Sequence, residues 1–285
     1  MEDLGLKVKF SKHAYNNPLG YGETAKHKAE DINEMFRCKE IDAIFCAMGG
    51  YNCNSVFDYL DFDLIKNNPK IICGYSDPTS LINMINAKTG LITFHGPNFK
   101  TLSSEETDYG YKEVVKRFIN KDLSFGEYES RVTIDNEEHR VKEYEGKYKV
   151  INEGTAEGNL IGGNLCLFSN LITGKYAVDV KDKILFIEDF GFESSPGFVS
   201  NYLYKMKQNG VFEKIKGLWI GNYEHESGIA LEKIVMDVLE DVKIPIVKSD
   251  NFGHGIFKTV IPIGAKVKID TYAKEKVELV EEVVE

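Results

Sequence analysis

The chain has 285 residues, of which 28% are charged, and a formal net charge of -10 at pH 7. That acidity argues against a nucleic-acid backbone or an anionic membrane as partner, and no run approaches the roughly 18 apolar residues a membrane span requires. At about 150 residues per domain the length fits two domains.

Met1-Glu2-Asp3-Leu4 has no basic n-region or apolar h-region, so a cytoplasmic protein is expected. Leu6 to Phe10 alternates as a short strand, and Gly22 to Phe36 carries apolar and small residues at helical spacing. Ile41 to Met48 reads as a strand running into Gly49-Gly50, and Ser55 to Leu60 as a helix. Asp61-Phe62-Asp63 reads as a solvated turn. The apolar strand Ile71-Ile72-Cys73 leads through Gly74-Tyr75-Ser76 to a helix from Thr79 to Ala87, with Asp77 as its cap and Pro78 at its first position. Alternating strands and helices predict a parallel α/β sheet, whose ligands bind at the carboxyl ends of strands. Leu91 to Phe94 is a further strand, leading into His95-Gly96-Pro97. Asp108 to Ile119 reads as a helix with Tyr109, Val114, Val115 and Phe118 as its apolar set.

The character then changes. Residues 123–150 are polar and charged, with alternating stretches such as Arg131-Val132-Thr133-Ile134, and form the crossing between a domain over 1–122 and a β-rich α+β domain over 151–285. Landmarks of the second domain are Gly158 to Leu165, the strands Lys183 to Asp189 and Gly217 to Ile220, and the helices Val199 to Asn209 and Ile229 to Leu239. The turn Asn251-Phe252-Gly253-His254-Gly255 follows. Pro262-Ile263-Gly264 marks another turn, and Glu281 to Glu285 a solvated tail.

Ser76 stands beside the positive end of a helix, where backbone N–H groups can stabilise an oxyanion, although Pro78 replaces the last glycine of a G-x-S-x-G elbow. A nucleophilic serine needs a base and a group to hold that base. His95 and His254 occupy constrained turns, while His13, His27 and His139 lie in polar surroundings and read as surface residues. His225 suits a charged loop or a substrate contact, and His95 also suits a structural donor to a carbonyl. Glu188 and Asp189 end a continuous apolar strand, where a charge is costly unless paired. A buried Glu188 bonded to His254 would meet that cost; the simpler reading is that both acids begin a polar loop. Gly49-Gly50 and Gly162-Gly163 match neither common phosphate-loop pattern, and metal-site spacings are absent. Five cysteines, Cys38, Cys46, Cys53, Cys73 and Cys166, lack C-x-x-C pairing. Cys46 and Cys73 read as core residues and Cys53, in a loop, as the reactive candidate.

Taken in order, Ala47-Met48-Gly49-Gly50-Tyr51-Asn52, Gly74 to Leu81, His95-Gly96-Pro97, Gly158 to Leu165, Ile184 to Asp189, Gly253-His254 and Pro262-Ile263-Gly264 resemble the LD-carboxypeptidase family of serine peptidases, muramoyltetrapeptide carboxypeptidases among them. The resemblance implies a Ser-Glu-His triad of Ser76, Glu188 and His254 in an interdomain cleft, an oxyanion hole from the N–H groups of Asp77 and Gly50, and a small peptide or peptidoglycan-fragment substrate. It also implies a cytoplasmic homodimer without metal or cofactor. Met48 stands where carboxypeptidase members carry arginine, which is closer to the microcin C immunity branch. A silent binding protein on the same fold is the competing expectation. Met1 falls where the family would already have passed a first strand and helix. The expectation is therefore an incomplete reading frame or a rearranged N-terminal sheet lacking its first strand; a strand supplied from elsewhere in the chain would speak against the former.

Overall fold

The computed structural model describes residues 2, 5–102, 109–122, 124–129, 131–135, 140–144, 146–191, 194–225, 227–240, 243–281 and 283, with backbone alone for 131–135 and 140–143. His139, Asp108, Leu123 and parts of both chain ends lie outside the described residues, so the expectations for them are not addressed.

In the first part, α1 (Ala25–Arg37) precedes β1 (Ala43–Phe45), α2 (Phe62–Asn67), β2 (Ile71–Gly74), α3 (Pro78–Thr89), β3 (Thr93–His95), α4 (Phe99–Leu102) and α5 (Tyr109–Val114). Thr24 caps α1 by accepting from the His27 N–H at 3.3 Å. β1, β2 and β3 are parallel neighbours. Leu6 to Phe10 forms no strand: among the described residues it has no ladder partner, and alternation without a partner cannot satisfy a strand's backbone groups. The segment rests instead on rings, with Phe10 edge-on to Phe99 at 5.8 Å.

Three further expectations are corrected. The helix read at Ser55 to Leu60 is a 3-10 turn over Cys53–Tyr59. Asp61 belongs to no solvated turn; its carboxylate accepts from the Leu64 N–H at 2.9 Å and starts α2. The helix ending at Ile119 changes to wider π winding over Val115–Ile119, and its buried face includes Glu113 and Arg117 as well as Val114.

A hairpin of β4 (Arg131–Asp135) and β5 (Arg140–Tyr144) occupies the crossing. The second part contains β6 (Lys149–Asn152), β7 (Thr155–Asn164), α6 (Leu165–Phe168), β8 (Ile184–Phe190), α7 (Pro196–Gln208), β9 (Gly217–Glu224), α8 (Leu231–Val238), β10 (Ile246–Lys248), β11 (Ile261–Ile263), β12 (Lys266–Asp270) and β13 (Val277–Leu279). Seven strands form one sheet in the order β13-β12-β7-β8-β9-β10-β6, parallel from β7 to β10. A parallel strand is covered on both faces, which is why β8 reads as the unbroken apolar run Ile184-Leu185-Phe186-Ile187. α7 buries Val199, Leu203 and Met206, and α8 buries Leu231, Ile234, Val235 and Val238, each a stripe at helical spacing.

β11 leaves this part and pairs antiparallel with β3, so the four-stranded sheet runs β1-β2-β3-β11. Pro262 and Ile263 therefore lie in a strand, and the turn begins at Gly264, whose φ is +90°. The two sheets share one apolar core that includes Ile82 and Ile85 of α3 and Ile161 and Leu165 beside it. Residues Pro78 to Ile85 of α3 are all buried. Among the described residues no helix is long and apolar enough to cross a membrane.

Candidate active site

β2 delivers Ser76 to the start of α3. Ser76 has φ +68°, the left-handed conformation that a side chain adopts at a cost and that a sharp strand-to-helix turn imposes. Gly74 makes the turn possible, because a Cβ there would lie 2.8 Å from Cys46 Sγ and 2.9 Å from Pro78 Cβ. Pro78 thus serves the tight packing that a final glycine serves in the commoner elbow. Asp77 does not cap α3 with its side chain; its two carboxylate oxygens accept the Cys53 N–H, each at 3.0 Å. That bond fixes the loop following Gly49-Gly50 against the turn. A Cβ on Gly49 would stand 3.1 Å from Ser76 Oγ, so this loop lies directly against the serine.

Cys53, the thiol singled out as reactive, is not suited to it. Burial, and then the Asp77 charge, pushes its pKa well above the ordinary thiol range.

At the end of β8, Glu188 is fully buried and its Oε2 lies 2.7 Å from His254 Nδ1. Burial raises the pKa of a carboxyl, but the charge and hydrogen bond of His254, with help from His95, outweigh it and hold Glu188 below the ordinary carboxylate range. An ionised Glu188 keeps the imidazole proton on Nδ1 and leaves Nε2 as an acceptor. The His254 ring is stacked on Phe190 at 4.9 Å and tilted against Tyr75 at 5.0 Å. Tyr75 directly precedes Ser76, so the serine turn and the histidine loop meet there. Among the described residues His254 bonds to Glu188 and not to Ser76.

Gly253 explains how the loop comes so close. Its φ is +106°, and a Cβ would lie 2.9 Å from Glu188 Cβ and Oε2. His95 is buried beside the pair, with Nε2 3.9 Å from Glu188 Oε1, and neither of its ring nitrogens has a hydrogen-bond partner among the described residues. The carbonyl donor role is therefore set aside. His225 turns to its own loop, with Nδ1 2.9 Å from Ser227 Oγ.

Of two further titratable groups at the site, Asp189 reads in the sequence only as the start of a polar loop and Lys258 escapes sequence reasoning. Asp189 begins no polar loop: it is buried, accepts from Asn164 Nδ2 at 3.0 Å and the Phe190 N–H at 2.9 Å, and is pushed up to about 8 by burial and by Glu188. Lys258 donates to the Gly253 carbonyl at 2.9 Å and lies over the Tyr75 ring at 4.9 Å, and burial pushes it down to about 8. A lysine three residues after a Gly-His-Gly turn gave no pattern that would have flagged it. The site is thus a serine turn and a carboxylate-held imidazole from separate sheets, with apolar Met48 exposed beside the glycine pair.

Comparison with known proteins identifies the family and the fold. Residues 1–96 match the model of the LD-carboxypeptidase N-terminal domain, and residues 157–269 that of the LD-carboxypeptidase C-terminal domain. The chain is 32% identical to the "Probable murein peptide carboxypeptidase" of Bacillus subtilis (strain 168), over 97% of this chain and 84% of that one. It is 30% identical to the microcin C7 self-immunity protein MccF of Escherichia coli, over 95% and 83%. The crystal structure of an MccF-like protein from Bacillus anthracis str. Ames superposes with a TM-score of 0.82 at 31% identity, covering 98% of this chain and 87% of that one. With both halves matched and the sheets arranged alike, this chain belongs to the LD-carboxypeptidase family of peptidases.

Proposed function

We propose that the chain is a serine peptidase that hydrolyses an amide bond near a peptide C-terminus, with Ser76 as nucleophile, His254 as base and then acid, and Glu188 as the group that orients His254. The observation carrying this reading is the 2.7 Å Glu188–His254 bond, placed against the residue before a serine at φ +68°.

In the proposed reaction Ser76 Oγ attacks the scissile carbonyl while His254 Nε2 takes its proton. The N–H groups of Asp77 and Gly50 receive the developing oxyanion. His254 returns the proton to the leaving amine, and water activated by the same imidazole releases the acyl group.

Two substrate classes fit the relatives: a murein tetrapeptide that loses D-alanine, and a peptidyl or aminoacyl conjugate of a nucleotide. MccF has been crystallised in complex with aspartyl sulfamoyl adenosine. Exposed Met48, an uncharged neighbour of the glycine loop, supports the conjugate branch. A cytoplasmic homodimer completes the reading.

The test is to offer purified protein both substrates and follow D-alanine release and amide cleavage. Turnover of either, abolished in Ser76→Ala, is expected; turnover unchanged in that variant sinks the mechanism. Binding without turnover, together with no covalent labelling of Ser76, would mark a silent binding protein instead.

A further inference from the structure

Helix α1 and the segment before it carry a second cluster that shares no residue with the peptidase site. His13, read as a surface residue, is only 8% exposed, and its ring lies 4.3 Å from that of His27 with the planes 6° apart. One ligand atom from each of His13, His27 and Glu30 lies within 4.8 Å of the other two. We propose that these three residues bind a divalent transition-metal ion of the zinc class, clamping the segment around His13 to α1.

The carboxylates behind the rings carry the argument. His13 Nδ1 lies 2.8 Å from Asp31 Oδ1, and the His13 N–H donates to Asp31 Oδ2 at 3.1 Å. His27 Nδ1 lies 3.2 Å from Glu23 Oε1. The Asp31 carboxylate holds the His13 proton on Nδ1 and leaves its Nε2 lone pair for a metal, whereas His27 Nδ1, close to Glu23 but without a hydrogen-bond partner among the described residues, has both its orientation and its tautomer open to a metal.

Charge and geometry agree on a cation. Glu23, Glu30 and Asp31 surround the rings, and the opposing charge is Lys12, whose Nζ is 3.5 Å from Glu30 Oε1 in an exposed pair that a metal displaces at little cost. The positive end of α1 opposes a cation, but three carboxylates outweigh half a unit of charge. Tetrahedral zinc with bonds near 2.0 Å needs donors about 3.3 Å apart. The Glu30 side chain is 52% exposed and can swing in to close the gap, while Asp31 keeps His13 fixed. Two imidazoles and one carboxylate, with water in the fourth position, suit zinc or cobalt(II), and nitrogen donors disfavour calcium and magnesium.

The experiment uses the full chain stripped of metal with a chelator, titrated with zinc in a thermal-shift assay and with cobalt(II) in the visible range. The expected result is a saturable rise in Tm at one ion per chain and tetrahedral cobalt bands without thiolate charge transfer. Glu30→Gln, at an exposed position, should keep the metal-free Tm, and both it and His27→Ala should weaken binding by roughly tenfold or more. No zinc-dependent rise, a rise undiminished in both variants, or a thiolate band implicating the free cysteines would each overturn the proposal.

Discussion

Asn83 and Gly162 exchange two hydrogen bonds, Asn83 Nδ2 donating to the Gly162 carbonyl at 2.8 Å and the Gly162 N–H donating to Asn83 Oδ1 at 3.2 Å. Asn83 stands on the helix that begins behind Ser76, and Gly162 lies two residues before Asn164, whose partner across the ladder is Glu188. A single side-chain amide thus docks the serine helix on the strand beside the acid.

Removing that amide strands both backbone groups of Gly162 in a buried place. Asn83→Ala is expected to cost about 1–3 kcal/mol, seen as a lower urea midpoint with an unchanged slope. A midpoint equal to the parent's would show that water or the relaxed helix replaces both bonds.

Gly162 is expected to tolerate no side chain. Its φ is +137°, and a Cβ would fall 1.9 Å from the Phe186 carbonyl oxygen, on the backbone of the neighbouring strand. Gly162→Ala should therefore yield little folded protein, whereas Gly197→Ala, with nothing within 4 Å, should match the parent in yield and Tm. Equal yields for the two would refute the packing argument.

For the reaction, Glu188→Gln replaces the acceptor that keeps the His254 proton on Nδ1. A fall in kcat of about 10⁴-fold is expected, with KM changed far less. A loss confined to KM would instead assign Glu188 to substrate binding.

The pH dependence of stability has two opposed parts at the end of β8. Asp189 has its pKa raised from 3.8 to about 8, so its contribution is fully present below about pH 3.8 and is lost as pH rises through 8. Glu188 is held below its ordinary value, so its contribution is present above that value and is lost as pH falls through its lowered one. Asp189→Asn should remove the first part: relative to the variant, the parent should lose stability steadily from about pH 4 to pH 8. Urea midpoints measured across that range decide it, and parallel curves would place the Asp189 proton elsewhere.

The framework of the proposed site was legible where an apolar run ends abruptly in polar residues. Ile71 to Ser76 and Ile184 to Asp189 mark strand ends in the sequence, because a strand covered on both faces admits polar residues only where they are paired, as Glu188 is by His254 and Asp189 by Asn164. What escaped depends on partners distant in sequence. Leu6 to Phe10 alternates like a strand but meets no free ladder, and Asp77 gives its carboxylate to Cys53 in place of its own helix. His13 has polar neighbours in sequence and is nonetheless buried against α1. β11 is three residues long with a proline at its centre, and only the waiting edge of β3 makes it a strand.

That last pairing sets an order for folding. β3 at His95 finds its partner, Ile261, only after more than half of the chain has intervened, and the loop that carries His254 lies between β10 and that same β11. Closing so long a loop is slow, and until it closes the nucleophile sheet keeps an unpaired edge open to other chains. On the ribosome the sheet behind Ser76 therefore stays unfinished until β11 emerges, and the docking of β11 completes that sheet and delivers the histidine loop in one step.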